Sequence, residues 1–173
     1  VASTHLKKCF PNLKIGGPAL AWNEDWLERF FERVKDKEIA LDFLSWHWYG
    51  TEPCEMSNKG TRIYDIATKA GYESFESILN EWNYVRGWSA EFIYSIKTII
   101  SMKGAAFTAA CMSAAQHNPT IDMLMYYDAR PTGMNGLFDY YTLEPIKGYY
   151  PFLIYSKLKA LENEAESVSD SKN

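Results

Sequence analysis

Apolar positions along the chain recur with two different periods, and the switches between them lay out four strand-and-helix units. Leu13 to Ile15 is a short apolar run cut off by Gly16, Gly17 and Pro18, which predicts a strand followed by a turn. From Trp26 the spacing changes: Leu27, Phe30, Phe31 and Val34 recur every three or four residues, with Glu28, Arg29, Glu32 and Lys35 between them, which predicts an amphipathic helix. Ile39 to Trp48 reads as a second strand, and Tyr49 and Gly50 open a loop. Lys59 to Ala70 returns to helical spacing through Ile63, Ile66, Ala67 and Ala70, with Gly71 placed to end it.

Ser77 to Trp82 predicts the third strand, and Glu91 to Gln116 a long helix interrupted near Gly104 and stopped by Asn118-Pro119. Ile121 to Tyr127 predicts the fourth strand. A loop carrying Pro131, Gly133, Gly136 and Pro145 leads to a last helix from Pro151 to Leu161, since proline is tolerated in a first helical turn. The remainder, 162–173, is polar and predicts a disordered tail.

Strands this short and apolar are buried on both faces, and their alternation with helices predicts an α/β fold with a parallel sheet. Two architectures satisfy that order: an open doubly wound sheet, or part of a TIM barrel, whose eight units take about 250 residues. With 173 residues, length favours the open sheet, so the choice falls to the chemistry.

Composition narrows that chemistry. A net charge of -4 without a basic stripe excludes a nucleic-acid partner, because binding phosphates requires clustered Lys and Arg. Apolar runs such as Ile96 to Ile100 fall short of the roughly 20 residues that span a bilayer, so no membrane association is expected. Cys9, Cys54 and Cys111 have neither disulfide-framework nor zinc-site spacing, and His5, His47 and His117 lie far apart without an H-E-x-x-H pattern; no metal and no cofactor are expected. No phosphate-binding glycine loop and no G-x-S-x-G elbow is present. Since the first residue is Val1, an export signal upstream would be invisible, and the compartment stays unassigned. Aromatic residues make up 16%, including six Trp and twelve Tyr, rings that suit stacking on sugars as well as packing.

Polar and aromatic residues bunch at the C-terminal ends of three strands: Trp46 to Tyr49, Asn80 to Asn83 and Tyr126 to Arg130. Ligands bind at that end in both architectures. A carboxylate at the tip of a buried strand is costly unless hydrogen-bonded or catalytic, which singles out Glu81. Trp22, Trp46, Trp48, Trp82 and Trp88 could equally stack on sugar or pack.

The runs LKIGGPA (13–19), LDFLSWHWY (41–49), ILNEWN (78–83) and YYDARP (126–131) resemble, in that order, strands five to eight of the family 39 glycoside hydrolases, which include β-xylosidases and α-L-iduronidases. The resemblance implies that residues 1–161 are the C-terminal half of a (β/α)8 barrel that cleaves an oligosaccharide or glycoside by a retaining mechanism. It makes Glu81 the nucleophile, although Asn80 stands where the family has Thr. It places His47, Tyr49, Trp82, Asn83, Tyr127, Asp128 and Arg130 around the sugar. Tyr126-Tyr127 replaces the family's Tyr-Trp pair, so which ring forms the sugar platform is not fixed.

A retaining glycosidase needs two carboxyl groups about 5 to 5.5 Å apart, one attacking and one protonating the leaving oxygen. No residue matches the family's acid/base, which precedes the GGP strand; Glu24 and Glu52 are near acids but stand in no family motif. The missing N-terminal half of the barrel, from a longer protein or a separate chain, is therefore an expected partner. The competing reading is a non-catalytic carbohydrate-binding protein that kept the aromatic mouth and lost the acid.

Overall fold

The computed structural model describes residues 2–34, 37, 39–163 and 165. Two aspartates fix where strands begin. Asp42 accepts from the amide of Ile15 at 2.7 Å and returns its own amide to the Ile15 carbonyl, also at 2.7 Å. Asp122 does the same with Ser77, at 2.7 and 2.9 Å. These clasps align the four strands β1 (Gly16–Leu20), β2 (Phe43–Gly50), β3 (Glu76–Tyr84) and β4 (Met123–Tyr126). All pair in parallel, in the order β1-β2-β3-β4. A doubly wound sheet reverses its strand order at a switch point, and these four strands show no reversal.

Six helices accompany the sheet among the described residues: α1 (Ala2–Cys9), α2 (Glu24–Val34), α3 (Pro53–Lys69), α4 (Phe92–Ile99), α5 (Met102–Gln116) and α6 (Tyr149–Lys159). The sheet's outer face carries Leu44, Trp46 and Trp48 of β2 with Leu79, Trp82 and Tyr84 of β3, all buried in one core with Met56 and Ile63 of α3 and Phe107 of α5. Trp48 stacks on Phe107 with ring centroids 5.9 Å apart. No single helix among the described residues is long and apolar enough to cross a membrane.

Several boundaries differ from the sequence reading. The first strand does not stop at Gly16 but begins there, because pairing with β2 outweighs local turn preference. At Gly16 a Cβ would lie 2.0 Å from the Phe43 carbonyl oxygen, so glycine admits the close strand approach. Tyr49 and Gly50 extend β2 rather than opening a loop, held by pairing to Asn83 and Tyr84. The third helix begins six residues early, with Pro53 in its first turn.

The long helix breaks at Ile100-Ser101 instead of at Gly104, and α4 and α5 meet at 79°. Ser101 caps α5 by accepting from the amides of Lys103 and Gly104. At Gly104 a Cβ would fall 2.4 Å from the carbonyl oxygens of both Thr98 and Ile99, so this glycine lets α5 start against the end of α4. The helix α1, which exposes every side chain to some degree, was not expected; Lys7 ties it to Asp42 at 2.8 Å. Lys35 and, of the polar tail expected over 162–173, residues 164 and 166–173 lie outside the described residues.

Candidate active site

Strand alternation explains why the site residues share a face, and one irregularity decides which face. Opposite β2, the register runs Trp46 to Leu79 and then His47 to Glu81, leaving Asn80 as an extra residue in β3. The β3–β4 register skips at the same place. Leu79 faces the helices, so strict alternation would send Glu81 there too; the bulge at Asn80 instead puts Trp82 in the core and Glu81 on the inner face beside His47. A second bulge, at Ala19 with φ of 58°, precedes the tip of β1.

On that inner face Tyr49 donates its hydroxyl to Oε1 of Glu81. Nδ1 of His47 lies 3.6 Å from Oε2 of Glu81, close enough for an ion pair when the imidazole is protonated. The Glu81 side chain keeps 29% of its surface open, so the carboxylate is held yet reachable. Burial, then the hydrogen bond to Glu81 and its charge, push the Tyr49 phenol well above its ordinary value of 10.0. Asp128 acts on Tyr49 in the same direction, which ties the tip of β4 electrostatically to this cluster.

At that tip the peptide between Tyr127 and Asp128 is cis. Asp128, 7% exposed, accepts from Arg130 at 2.8 Å and from Thr132 at 3.2 Å. Arg130 also reaches the Tyr127 hydroxyl at 3.4 Å, and its guanidinium is held protonated above the usual range by Asp128. Tyr127, Asp128 and Arg130 therefore form a linked group of their own.

Trp82 and Asn83, expected against the sugar, lie elsewhere. Trp82 is fully buried, its ring edge-on to Tyr126 at 5.4 Å. Asn83, 1% exposed, donates to the carbonyls of Tyr127 at 2.6 Å and Met134 at 2.8 Å, clamping the loop after β4. Both hold the strand tips in place instead of lining the mouth.

The structure also separates the tryptophans that sequence left undecided. Trp46, Trp48 and Trp82 are buried, whereas Trp22 is 64% and Trp88 51% exposed. Trp22 follows β1 and Trp88 follows β3, and both rings contact Tyr49. Their place just past strand C-termini was the one available signal. Lys59 of α3 supports this region from below: its ammonium donates to the carbonyls of Ala21 and His47, each at 3.0 Å, and burial lowers its pKa from the ordinary value of 10.5.

A cavity of about 950 Å³ opens between α5, β4 and α6, among Met112, Ile121 and Leu158. It lies beside the N-terminal half of β4 and includes none of the site residues, so it belongs to the open edge of the sheet and not to the chemistry.

Residues 2–83 match the family model described as glycosyl hydrolase catalytic core, a stretch that contains His47, Tyr49 and Glu81. No curated protein matches the chain. Among solved structures, a glucosidase from Croceicoccus marinus superposes with a TM-score of 0.60 at 29% identity, over 72% of this chain and 26% of that one. An endo-β-1,3-glucanase of glycoside hydrolase family 128 from Amycolatopsis mediterranei, in complex with laminaritriose, gives 0.61 at 16%, over 87% and 64%. Xylanase 10B from Thermotoga maritima gives 0.59 at 16%, over 94% and 52%. The chain thus spans less than two thirds of each of these proteins, and over that span its parallel sheet and helices have the fold of TIM-barrel-like glycoside hydrolases.

Proposed function

We propose that this chain supplies the nucleophile half of a retaining glycoside hydrolase that cleaves O-glycosidic bonds, of the kind represented by family 39. The observation that carries the reading is Glu81 itself: a bulge turns it onto the inner face of the sheet, where the Tyr49 hydroxyl donates to one oxygen and the His47 ring lies 3.6 Å from the other. A carboxylate oriented in this way at a strand tip can attack an anomeric carbon. The new bond joins the sugar to a Glu81 oxygen as the bond to the leaving oxygen breaks, and a proton from a second carboxyl completes the departure. Water then releases the sugar with retained configuration. His47 and Tyr49 position the nucleophile and the sugar beside it, while Tyr127, Asp128 and Arg130 line the β4 side of the mouth.

The second carboxyl belongs to the other half of the barrel in this reading. Two features support a covering half. Neither β1 nor β4 has a second strand neighbour among the described residues. Met123 and Met125 stand opposite the helix-facing Leu124 and Tyr126 and are each 44% exposed, where barrel interiors are filled by layers of side chains.

The reading is tested by incubating the chain with a 2,4-dinitrophenyl 2-deoxy-2-fluoro-β-glycoside, whose leaving group departs without acid assistance. The expected result is one covalent sugar on the peptide containing Glu81, absent in Glu81→Gln. A label on another residue, or none, overturns the nucleophile assignment. Retained sugar binding without any label would favour a non-catalytic binding protein.

A further inference from the structure

The geometry points to a sugar subsite walled by Trp22, Tyr49 and Trp88, built to take an uncharged pyranoside ring against Glu81; we infer this as a deepening of the hydrolase reading, on which it rests. The three rings come from the ends of three strands and meet at one place. Trp88 lies edge-on to Tyr49 at 4.9 Å and edge-on to Trp22 at 5.7 Å, and Trp22 is 6.5 Å from Tyr49 at a tilt of 33°. Phe92 stacks on Trp88 at 5.7 Å and braces it. The wall is thus fixed before any ligand arrives, which lowers the ordering cost of binding.

Its position at the C-terminal ends of the strands is where ligands bind in sheets of this kind. Trp22 and Trp88 leave more than half of their surface open, although the same fold buries Trp46 and Trp82 completely. Clustered exposed indoles mark a binding surface. Tyr49 belongs both to the wall and to the nucleophile, since the hydroxyl that meets Glu81 sits on the ring that meets Trp88. A sugar lying on this wall touches the same Tyr49 ring whose hydroxyl meets Glu81. The wall stems from the tips of β1, β2 and β3, whereas the resemblance to family 39 looked for the sugar platform at the end of β4.

The surrounding charges select the ligand. Glu81 and Asp128 place negative charge at the mouth, and the nearby cations are already engaged: Arg86 with Glu91 at 3.1 Å and Arg130 with Asp128 at 2.8 Å. The carboxylate of a uronic acid would add a further negative charge beside Glu81 and Asp128, where Arg86 and Arg130 already face carboxylates. A neutral pyranose with equatorial hydroxyls instead offers a face of C–H groups to the indoles and needs no cation.

Oxidative footprinting of indoles tests this on the intact chain, with Trp26, 41% exposed and stacked on Phe30, as internal reference. Saturating laminaritriose or xylotriose should abolish most of the oxidation at Trp22 and Trp88 and leave Trp26 unchanged, and trigalacturonate should protect neither. Trp22→Ala, a change at an exposed position, should weaken trisaccharide binding about tenfold. Unprotected Trp22 and Trp88, or equal protection by trigalacturonate, would overturn the inference. Protection without labelling of Glu81 sinks the hydrolase reading and leaves the subsite standing; labelling without protection does the reverse.

Discussion

Tyr49 joins the nucleophile to the aromatic wall, so its proton matters twice. Removing the hydroxyl in Tyr49→Phe takes away a hydrogen bond to a charged group, a loss of about 1.5–3 kcal/mol, and should slow Glu81 labelling roughly 10- to 100-fold. Its titration carries a second prediction. Tyr49 is raised, and burial raises Tyr126 to about 12. Phenols of the unfolded chain titrate near pH 10, so above that point the folded state keeps protons that the unfolded state loses. The stability these groups contribute is full below about pH 10 and declines as pH rises through their folded values. Urea midpoints measured from pH 9 upward should show the decline, with a shallower slope in Tyr49→Phe. Lys59→Met removes the ammonium that two half-buried carbonyls accept from and should lower stability by about 1–3 kcal/mol, read from the same denaturation curves. At this scale the sequence singled out Glu81, His47 and Tyr49, which the structure brings together, because a motif and a two-residue spacing along a strand are local. It could not divide the five doubtful tryptophans, since their burial depends on which helix arrives above them. Asn83 was misjudged for the same reason: its partners, Tyr127 and Met134, are more than forty residues away.

Elements were legible wherever hydrophobic periodicity was strong. The helix from Trp26 buries Leu27 and Phe31, as its spacing requires. The errors fall where pairing between distant segments overrides local preference, as in Gly16 to Leu20, a glycine-rich run drawn into the sheet by β2. The break between α4 and α5 was read at the residue that permits it, Gly104, three positions beyond the residue that caps it, Ser101. That division of labour is testable. Gly104→Ala drives a methyl group into two carbonyl oxygens and should cost about 1–3 kcal/mol, while Ser101→Ala loses a cap worth about 1 kcal/mol. Thermal denaturation of the two variants should rank them in that order. The bulge at Asn80 was invisible because it exists only in relation to the strands on either side.

At the scale of the whole molecule, the helix-covered face of the sheet carries the core, and on the other face Met123 and Met125 are half-open. In the proposed reading, chemistry follows the same division: the chain alone can accept a sugar from an activated donor but should turn over no ordinary aryl β-glycoside, and steady release of phenol by the pure chain would refute the half-barrel proposal. Supplying the complementary half should restore turnover. The half-open thioethers of Met123 and Met125 then become a record of the protein's history. Thioethers in contact with solvent are converted to sulfoxides by peroxide, and packed ones are spared. Material whose inner face has stayed bare will carry two oxidised methionines on alternate positions of one short strand, whereas material that has lived inside a closed barrel will not.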